Sequence, residues 1–556
     1  MENLRRNHGL AGETRLSTRG NSAFLLLVLI FVTFASLTMS EKSPRRISRR
    51  ACDQCRRRRG RCEGAASVCD HCTTNGWRCS WQLPVKKRGP KRKDASDVRA
   101  EESPAFAPQH SPQTTSPHPC DGDAAVRHDN GCNAEDVEAV WSAMINAVRG
   151  ARGIQDVKQF FVECIDAYMH HLFPITPIIP ENPLRSLIEE LFERGRSWQS
   201  VSTPPGSEAI VSSRTAAILS NGHLPLERSI SLVLALCANV CYLLPSHLFG
   251  SAERLQSELF SASRQVLRLY HERDIEQPSA VSVIVRYFHT ACFHAAGQTR
   301  VSWLVLGEAI RLALEMHVYD ESSLIALDPI ERELRRALYW QLSTGDQSSS
   351  ILNNRPLCFH RLNFEVPAST LSRRQPLLLD SARSCNGDDF EERLLEGFSL
   401  ISRLFNAATD VFVGLKYITQ ITTLPSSTPE RLRSFSNFVK DDLLRFHSIL
   451  DDLPDYIEQP WRWTAHLHPA DLSHQVDGFW IQHINLKLTY HVLKLVLIQK
   501  AAEWGLIDVL GLSGDVILLA LQKTEIAIDV LGCLRGVPFD AIRLNGEPAV
   551  RTNLPN

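Results

Sequence analysis

The chain has 556 residues, 44% of them hydrophobic and 22% charged, with no excess of Gly or Pro. That excludes a wholly disordered or fibrous protein and leaves room for one large or several ordinary domains. The net charge of −1 also excludes a uniformly basic binder, yet residues 42–93 hold 17 Lys and Arg against three acids (Asp53, Glu63 and Asp70), a local balance of about +14 over a remainder of about −15.

A basic head on an acidic body points to a polyanion as partner of the head alone. In chain order, residues 1–22 carry scattered Arg without apolar periodicity. No charge occurs from Gly20 to Ser40, and the apolar run Phe24 to Phe34 is broken only by Thr33. Its length suits the apolar region of a signal peptide better than a spanning helix of about 20 residues. Residues 1–40 therefore form an apolar N-terminal segment, and 45–85 a cysteine-rich unit. Residues 86–134 form a linker, basic at first and then rich in Pro, Ser, His and Asp ("ESPAFAPQHSPQTTSPHPCDGD"), a composition that builds no core.

From about residue 135 a helical period takes over. "FFVECIDAYMHHLFPI" places Phe161, Ile165, Tyr168 and Leu172 on one face and stops at Pro174. "ERELRRALYWQLSTGDQ" makes a stripe of Leu334, Leu338 and Leu342, with Arg332, Arg335 and Arg336 off it. "DGFWIQHINLKLTYHVLKLVLIQKAAEW" reads as one long buried helix or two. Alternating strands and repeats of 20–50 residues are missing from the pattern. The expectation is an all-α body over 135–535 and a tail over 536–556, "FDAIRLNGEPAVRTNLPN", without the acidic-aromatic mix of an activation segment. Ala95 to Ala107 puts polar residues or Pro where a heptad seam needs leucines.

Fifteen cysteines are present, six of them spelling C-x2-C-x6-C-x6-C-x2-C-x6-C: Cys52, Cys55, Cys62, Cys69, Cys72 and Cys79. A C-x2-C pair at a helix start puts two sulfurs within reach of one ion. Six thiolates supply two zinc ions with four ligands each only if two sulfurs bridge, so the count argues for a binuclear cluster. The rival reading is a disulfide framework in a secreted domain. Such frameworks need no repeated C-x2-C-x6-C and do not usually pack "RRRRGR" between the cysteines. The other nine cysteines show no regular spacing and read, for most, as free buried thiols in a reducing compartment.

The stretch "ACDQCRRRRGRCEGAASVCDHCTTNGWRC" resembles the fungal zinc binuclear cluster family. The resemblance implies two structural zinc ions, bridged by Cys52 and Cys69, and a short helix after Cys55 that enters the major groove of double-stranded DNA. The family's base-contacting Lys is matched here by Arg59, which reads guanine O6 and N7 bidentately. Arg58 and Arg59 are assigned to base edges, and Arg56, Arg57 and Arg61 to phosphates. "KKRGPKRK", with Lys86, Lys87 and Arg88 at its head, suits phosphate tracking, nuclear import or both. A similar string follows the cluster in sugar-responsive regulators of the maltose activator type. The implied half-site is a CGG-type triplet, too short for useful affinity alone, which makes a homodimer or a second contact an expected partner.

"FFVECIDAYMHHLFPITPIIP", "GEAIRLALEMHVYDE" and "ERELRRALYWQLSTGDQSSSILNNRP" resemble the fungal-specific transcription factor regulatory domain. The matching positions are Phe173-Pro174-Ile175, then Arg335, Arg336, Trp340 and Asp346, then Arg355-Pro356. Phe173 and Trp340 are expected in the core; Cys237 with Cys241, and His289 with His294, are expected to pack rather than bind metal. The expected function is sequence-specific control of RNA polymerase II genes in the nucleus, in carbohydrate use or secondary metabolism, with co-regulators or the transcription machinery and a small-molecule effector as further partners.

Two other classes compete. "DDFEE", Asp388 to Glu392, resembles the acidic metal motif of terpene synthases, but the second motif such enzymes need fails at "DDLLRFHSI", where Arg445 stands for Ser or Thr. No enzyme is expected. A membrane-tethered regulator, cleaved after Met39, would need residues 23–39 translated and retained. The preferred expectation is that residues 1–38 come from an upstream start or a misjudged gene model, because "MSEKSPRRISRRACDQC" is an ordinary beginning for such a regulator and secretion would strip or oxidise the cluster.

Overall fold

The computed structural model describes residues 52–57, 72, 77, 79 and 80, and, in the body, 134–151, 154, 156–200, 224–244, 255–359, 375–380, 389–422, 428–462 and 469–551. The apolar segment 1–40 and the linker 86–133 lie outside them. The chain divides into two units, the cysteine-rich one within residues 33–130 and the helical body from Gly131 onward. Among the described residues of the first lies a short helix, α1 (Asp53–Arg57).

The body is all-α among the described residues. Its first half holds α2 (Ala134–Gly150), α3 (Val157–Ala167), a π-helical turn (Tyr168–Leu172), α4 (Glu181–Ser200), α5 (Leu226–Leu243), α6 (Gln256–Glu276), α7 (Ala280–Ala295), α8 (Thr299–Glu315), α9 (Glu321–Leu324) and α10 (Pro329–Asn353). Its second half holds α11 (Phe390–Thr422), α12 (Pro429–Ser448), α13 (Asp455–Glu458), α14 (Pro469–Glu503), a 3-10 turn (Ile507–Leu510), α15 (Val516–Leu534) and α16 (Phe539–Arg551). One apolar core runs through both halves. By length and composition α5 and α11 are apolar enough to cross a membrane, but most of each is buried within the body.

Local chemistry sets the ends of these helices. Asp156 caps α3 by accepting from the Lys158 amide at 2.9 Å. Pro329 opens α10 behind Asp328, which accepts from the Ile330 amide at 2.9 Å, and Asn354 closes it in the left-handed region at φ 53°. Phe161, Ile165, Tyr168 and Leu172 are all buried, as their spacing predicts, although the register changes at Tyr168. There the Phe173 amide donates to the Tyr168 carbonyl, five residues back, at 2.8 Å. Leu334, Leu338 and Leu342 form a fully buried stripe. The long apolar stretch near the C-terminus is a single helix, α14, of 35 residues.

Two sequence expectations change. Arg336, placed off the leucine stripe, is buried and pairs with Glu321 of the preceding short helix α9. In "DDFEE", the motif set aside as a metal string, Phe390 is core and the buried Glu391 carboxylate accepts the Leu378 and Leu379 amides at 2.8 and 3.0 Å. The stretch expected as a tail past residue 536 forms α16, whose Ala541, Ile542 and Leu544 join the core. Its apolar period is short and interrupted by Asn545 and Gly546, but Asn545 reaches back to α14, donating to the Ile481 carbonyl at 3.2 Å.

A buried charge network joins α5, α6, α7 and α8. Asp274 is fully buried and accepts from Arg286 at 2.6 Å, Arg228 at 3.0 Å and the Ser282 hydroxyl at 2.7 Å, and Arg286 also donates to Glu308 at 2.7 Å. Breaking such a network by removing one charge strands the others in a low dielectric. Asp274→Ala is therefore expected to cost about 3–5 kcal/mol, read as a lower urea midpoint by circular dichroism.

Burial, together with the Arg264 and Arg286 charges, pushes the His289 imidazole down to about 3, and its Nε2 sits 2.8 Å from the Ser263 hydroxyl. The imidazole is neutral in the fold and titrates near 6.5 in the unfolded chain, so the unfolded state takes up the proton first as pH falls. The stability tied to this group is complete above about 6.5 and drains away toward 3, at up to about 1.4 kcal/mol per pH unit. Urea denaturation at pH 7 and pH 5.5 is expected to show a smaller acid loss in His289→Gln, which keeps a polar partner for Ser263 and takes up no proton.

Candidate metal centre

The cysteine-rich unit begins with Cys52 just before α1 and Cys55 within it. The Cys55 amide donates to the Cys52 sulfur at 3.4 Å, so that sulfur serves as the helix cap. From twenty residues on, Cys72 brings its sulfur to 3.6 Å from that of Cys52 and 4.0 Å from that of Cys55. The donor atoms of the three lie within 4.8 Å of one another, and all three residues are 0% exposed. Two thiolates on one tetrahedral zinc, each about 2.3 Å from the metal, stand about 3.8 Å apart. The observed pair of distances brackets that value.

Cys79, partly exposed, packs on the same group with Trp77. Burial alone would raise the Cys52 thiol, but the Cys55 amide and hydrogen bonds with the Cys55, Cys72 and Cys79 thiols outweigh it and bring the group down to about 6. Cys52 and Cys55 both reach Cys72 in the second half of the motif, Cys52 the more closely, and a lowered Cys52 thiol favours the thiolate, the form that binds metal. The residues present fit zinc: soft donors, buried, at ligand spacing.

A clasp that the sequence reading missed closes the unit. The Asp53 amide donates to the Ser80 carbonyl at 2.7 Å, and the Ser80 hydroxyl donates to the Asp53 carboxylate at 2.9 Å. The Trp77 amide donates to the Cys72 carbonyl at 2.9 Å, which lays the indole over the sulfurs. The one available signal was Asp53 itself, an acid at a helix start inside an otherwise basic segment.

Of the predicted DNA-contacting residues, Arg56 and Arg57 lie on α1, and the Arg57 side chain is exposed. Cys62, Cys69, Arg58, Arg59, Arg61, Lys86, Lys87 and Arg88 lie outside the described residues.

In the body, His289 is held by Ser263, and His294 is pushed down by burial. Cys237 and Cys241 are buried in α5, beside the equally buried Cys164, whose thiol burial raises. Phe173 is core and Trp340 packs against it from the edge. Asp346 is buried and accepts the Cys358 and Phe359 amides at 2.7 and 2.9 Å, while the Arg355 guanidinium lies over the Trp303 ring at 4.7 Å. The Asp and the Arg-Pro turn thus serve one structural purpose, folding the chain back after α10. Arg445 pairs with Asp442 and, at 3.6 Å, Asp410. Each of these polar groups is accounted for by packing.

Residues 50–88 match the model of the fungal Zn(2)-Cys(6) binuclear cluster domain. No curated protein and no solved structure matches the chain. The chain carries a fungal Zn(2)-Cys(6) binuclear cluster domain followed by a large helical body.

Proposed function

We propose that the protein is a nuclear, sequence-specific DNA-binding regulator of RNA polymerase II transcription. The observation that carries this reading is the buried convergence of Cys52, Cys55 and Cys72 at zinc-ligand spacing, beside the short helix α1 that holds Cys55, Arg56 and Arg57. Six cysteines, Cys52, Cys55, Cys62, Cys69, Cys72 and Cys79, hold two structural zinc ions, with Cys52 and Cys69 shared. The metals supply no chemistry beyond fixing the fold of a segment too small for an apolar core.

The short helix presents its arginines to the major groove. Arg58 and Arg59 read a CGG-type triplet, and Arg56, Arg57, Arg61 and the Lys86-Lys87-Arg88 string hold phosphates. Residues 86–134 tether the domain to the body, which resembles the fungal-specific transcription factor regulatory domain and serves as the regulatory part. For an effector, an open groove of about 690 Å³ between α2 and α6 has the size of a small-molecule site. Ala139, Val140, Ala143 and Leu269 line it, together with the acidic Asp136 and Glu258. A homodimer would double the three-base-pair contact of one cluster.

Two measurements test this reading. Cys52→Ala is expected to lose both cluster zinc ions and specific DNA binding, because its sulfur is shared; native mass spectrometry that finds one cluster zinc retained would refute the sharing. Fluorescence anisotropy of the full chain on duplexes with and without a CGG triplet should show a clear preference that chelation of zinc removes. Arg59→Ala is expected to cost about 1–3 kcal/mol on the CGG duplex and less on a scrambled one. An equal loss on both would make Arg59 a phosphate contact, and equal binding of the parent protein to both duplexes would overturn the proposed recognition.

A further inference from the structure

A second convergence of metal-ligating atoms lies in the helical body. The π-helical turn puts His170 and His171 side by side, with ring centroids 4.3 Å apart. A π turn inserts one residue into the helical register and re-aims the side chains that follow, and such turns concentrate at functional sites. Across the seam, α14 contributes His474 and Asp477, one helical turn apart. His474 Nδ1 stands 2.9 Å from His170 Nδ1, and the His170 and His474 ring centroids are 4.5 Å apart. On its other side His170 Nε2 is 3.1 Å from an Asp477 carboxylate oxygen.

This is the arrangement of a carboxylate, a histidine and a metal. A ligating imidazole almost always gives its second ring N–H to a carboxylate, which fixes the tautomer and leaves the other nitrogen as a lone pair. With Asp477 holding the proton on His170 Nε2, His170 Nδ1 presents a lone pair toward His474. Two imidazole nitrogens on one tetrahedral zinc, each about 2.0–2.1 Å from it, stand about 3.3 Å apart. An opening of about 0.4 Å from the observed contact admits the ion. Without metal, His474 donates its Nδ1 proton to His170; with metal, His474 takes its other neutral tautomer, so the exchange needs no net charge change on the protein. The ring of Phe390, 5.7 Å from that of His474, backs the site on one side. The His170 and Asp477 side chains keep 28% and 47% of their surface exposed, so an ion can enter.

We propose that His170 Nδ1 and His474 Nδ1 bind a divalent first-row transition ion such as zinc, with Asp477 orienting His170, the His171 ring packed beside that of His170, and water completing the shell. Imidazole donors suit zinc, copper and nickel over magnesium or calcium. With two firm ligands and open positions, this site would exchange its ion far more readily than the thiolate cluster, and it would clip the π turn to α14 when loaded.

The test counts metal on the full chain. Parent protein and variants are dialysed against micromolar zinc, and bound zinc per chain is measured by elemental analysis. His474→Gln keeps a hydrogen-bond donor toward His170 but is a poor zinc ligand. The parent is expected to hold one zinc more than His474→Gln and His170→Ala, with unchanged helicity in all three. Because the readout is a difference between proteins with the same cysteines, it stands or falls apart from the two-zinc reading of the cluster. Asp477→Asn is expected to weaken the additional zinc about 10–100-fold without abolishing it. Equal zinc in the parent and both histidine variants would show a hydrogen bond between imidazoles only and overturn the site. Unchanged affinity in Asp477→Asn would overturn the orienting role of that carboxylate.

Discussion

The body depends on one side chain, Gln482, in the middle of α14. It is 2% exposed, and its amide nitrogen donates to the Pro174 carbonyl at 2.8 Å and the Leu394 carbonyl at 2.7 Å. Those two bonds join three pieces of chain: the Phe-Pro-Ile turn near the start of the body, α11, and α14. Pro174 cannot continue a helix, so the turn that it ends leaves carbonyls exposed to the core that need donors. Gln482 supplies one. The close approach also dictates Gly397, because a Cβ there would fall 2.2 Å from the Gln482 side-chain oxygen. With the turn held, the Tyr168 hydroxyl closes on the Thr176 carbonyl at 2.5 Å, and the π turn and its histidines are fixed against α14.

A second pattern follows from the charge segregation. Part of the acidity of the body is turned inward and spent on backbone amides. Glu333 accepts the Gln375 amide at 3.0 Å, Glu391 accepts those of Leu378 and Leu379, and Glu181 accepts that of Asp380 at 3.2 Å. The irregular segment 375–380 thereby crosses the core surface with its N–H groups answered by three buried carboxylates from α10, α11 and α4. Burying a carboxylate is costly unless charge-assisted hydrogen bonds offset the lost hydration, and these amides provide them. In the basic head, among the described residues, the Arg57 side chain faces solvent.

Legibility in the sequence tracked locality. The stripes Phe161–Leu172 and Leu334–Leu342 could be read because a helix buries residues of its own period, and the grouping of Cys52, Cys55 and Cys72 because they lie close together in the chain. Arg336 could not be placed, since its burial depends on Glu321, a residue of a different helix. Nor could Glu391, whose acidic neighbours suggest a metal string while its two amide donors lie on a loop a dozen residues upstream. The α16 helix was hidden because a short, interrupted apolar period gains stability from docking rather than from propensity. His170 and His474 are separated by 304 positions, and only the fold brings them together.

The two donor clusters differ in a way that assigns them different work. Among the described residues of the cysteine unit, Cys52, Cys55 and Cys72 are fully buried together, so a metal held there would contribute its binding free energy directly to folding. In the body the imidazoles sit at the rim of a core that is complete without them, with more than eighty buried apolar residues standing apart from the pair. An ion at that rim can come and go while the fold persists, and its free energy is available to bias the junction of the π turn with α14 rather than to create it. That junction is also where Gln482 ties the Phe-Pro-Ile turn to α11 and α14, so a small opening there is felt by segments far apart in sequence. Thiolates that hold a small domain together and imidazoles that load a large one reversibly are two uses of similar ligand chemistry, set apart by how much of the surrounding fold exists before the metal arrives.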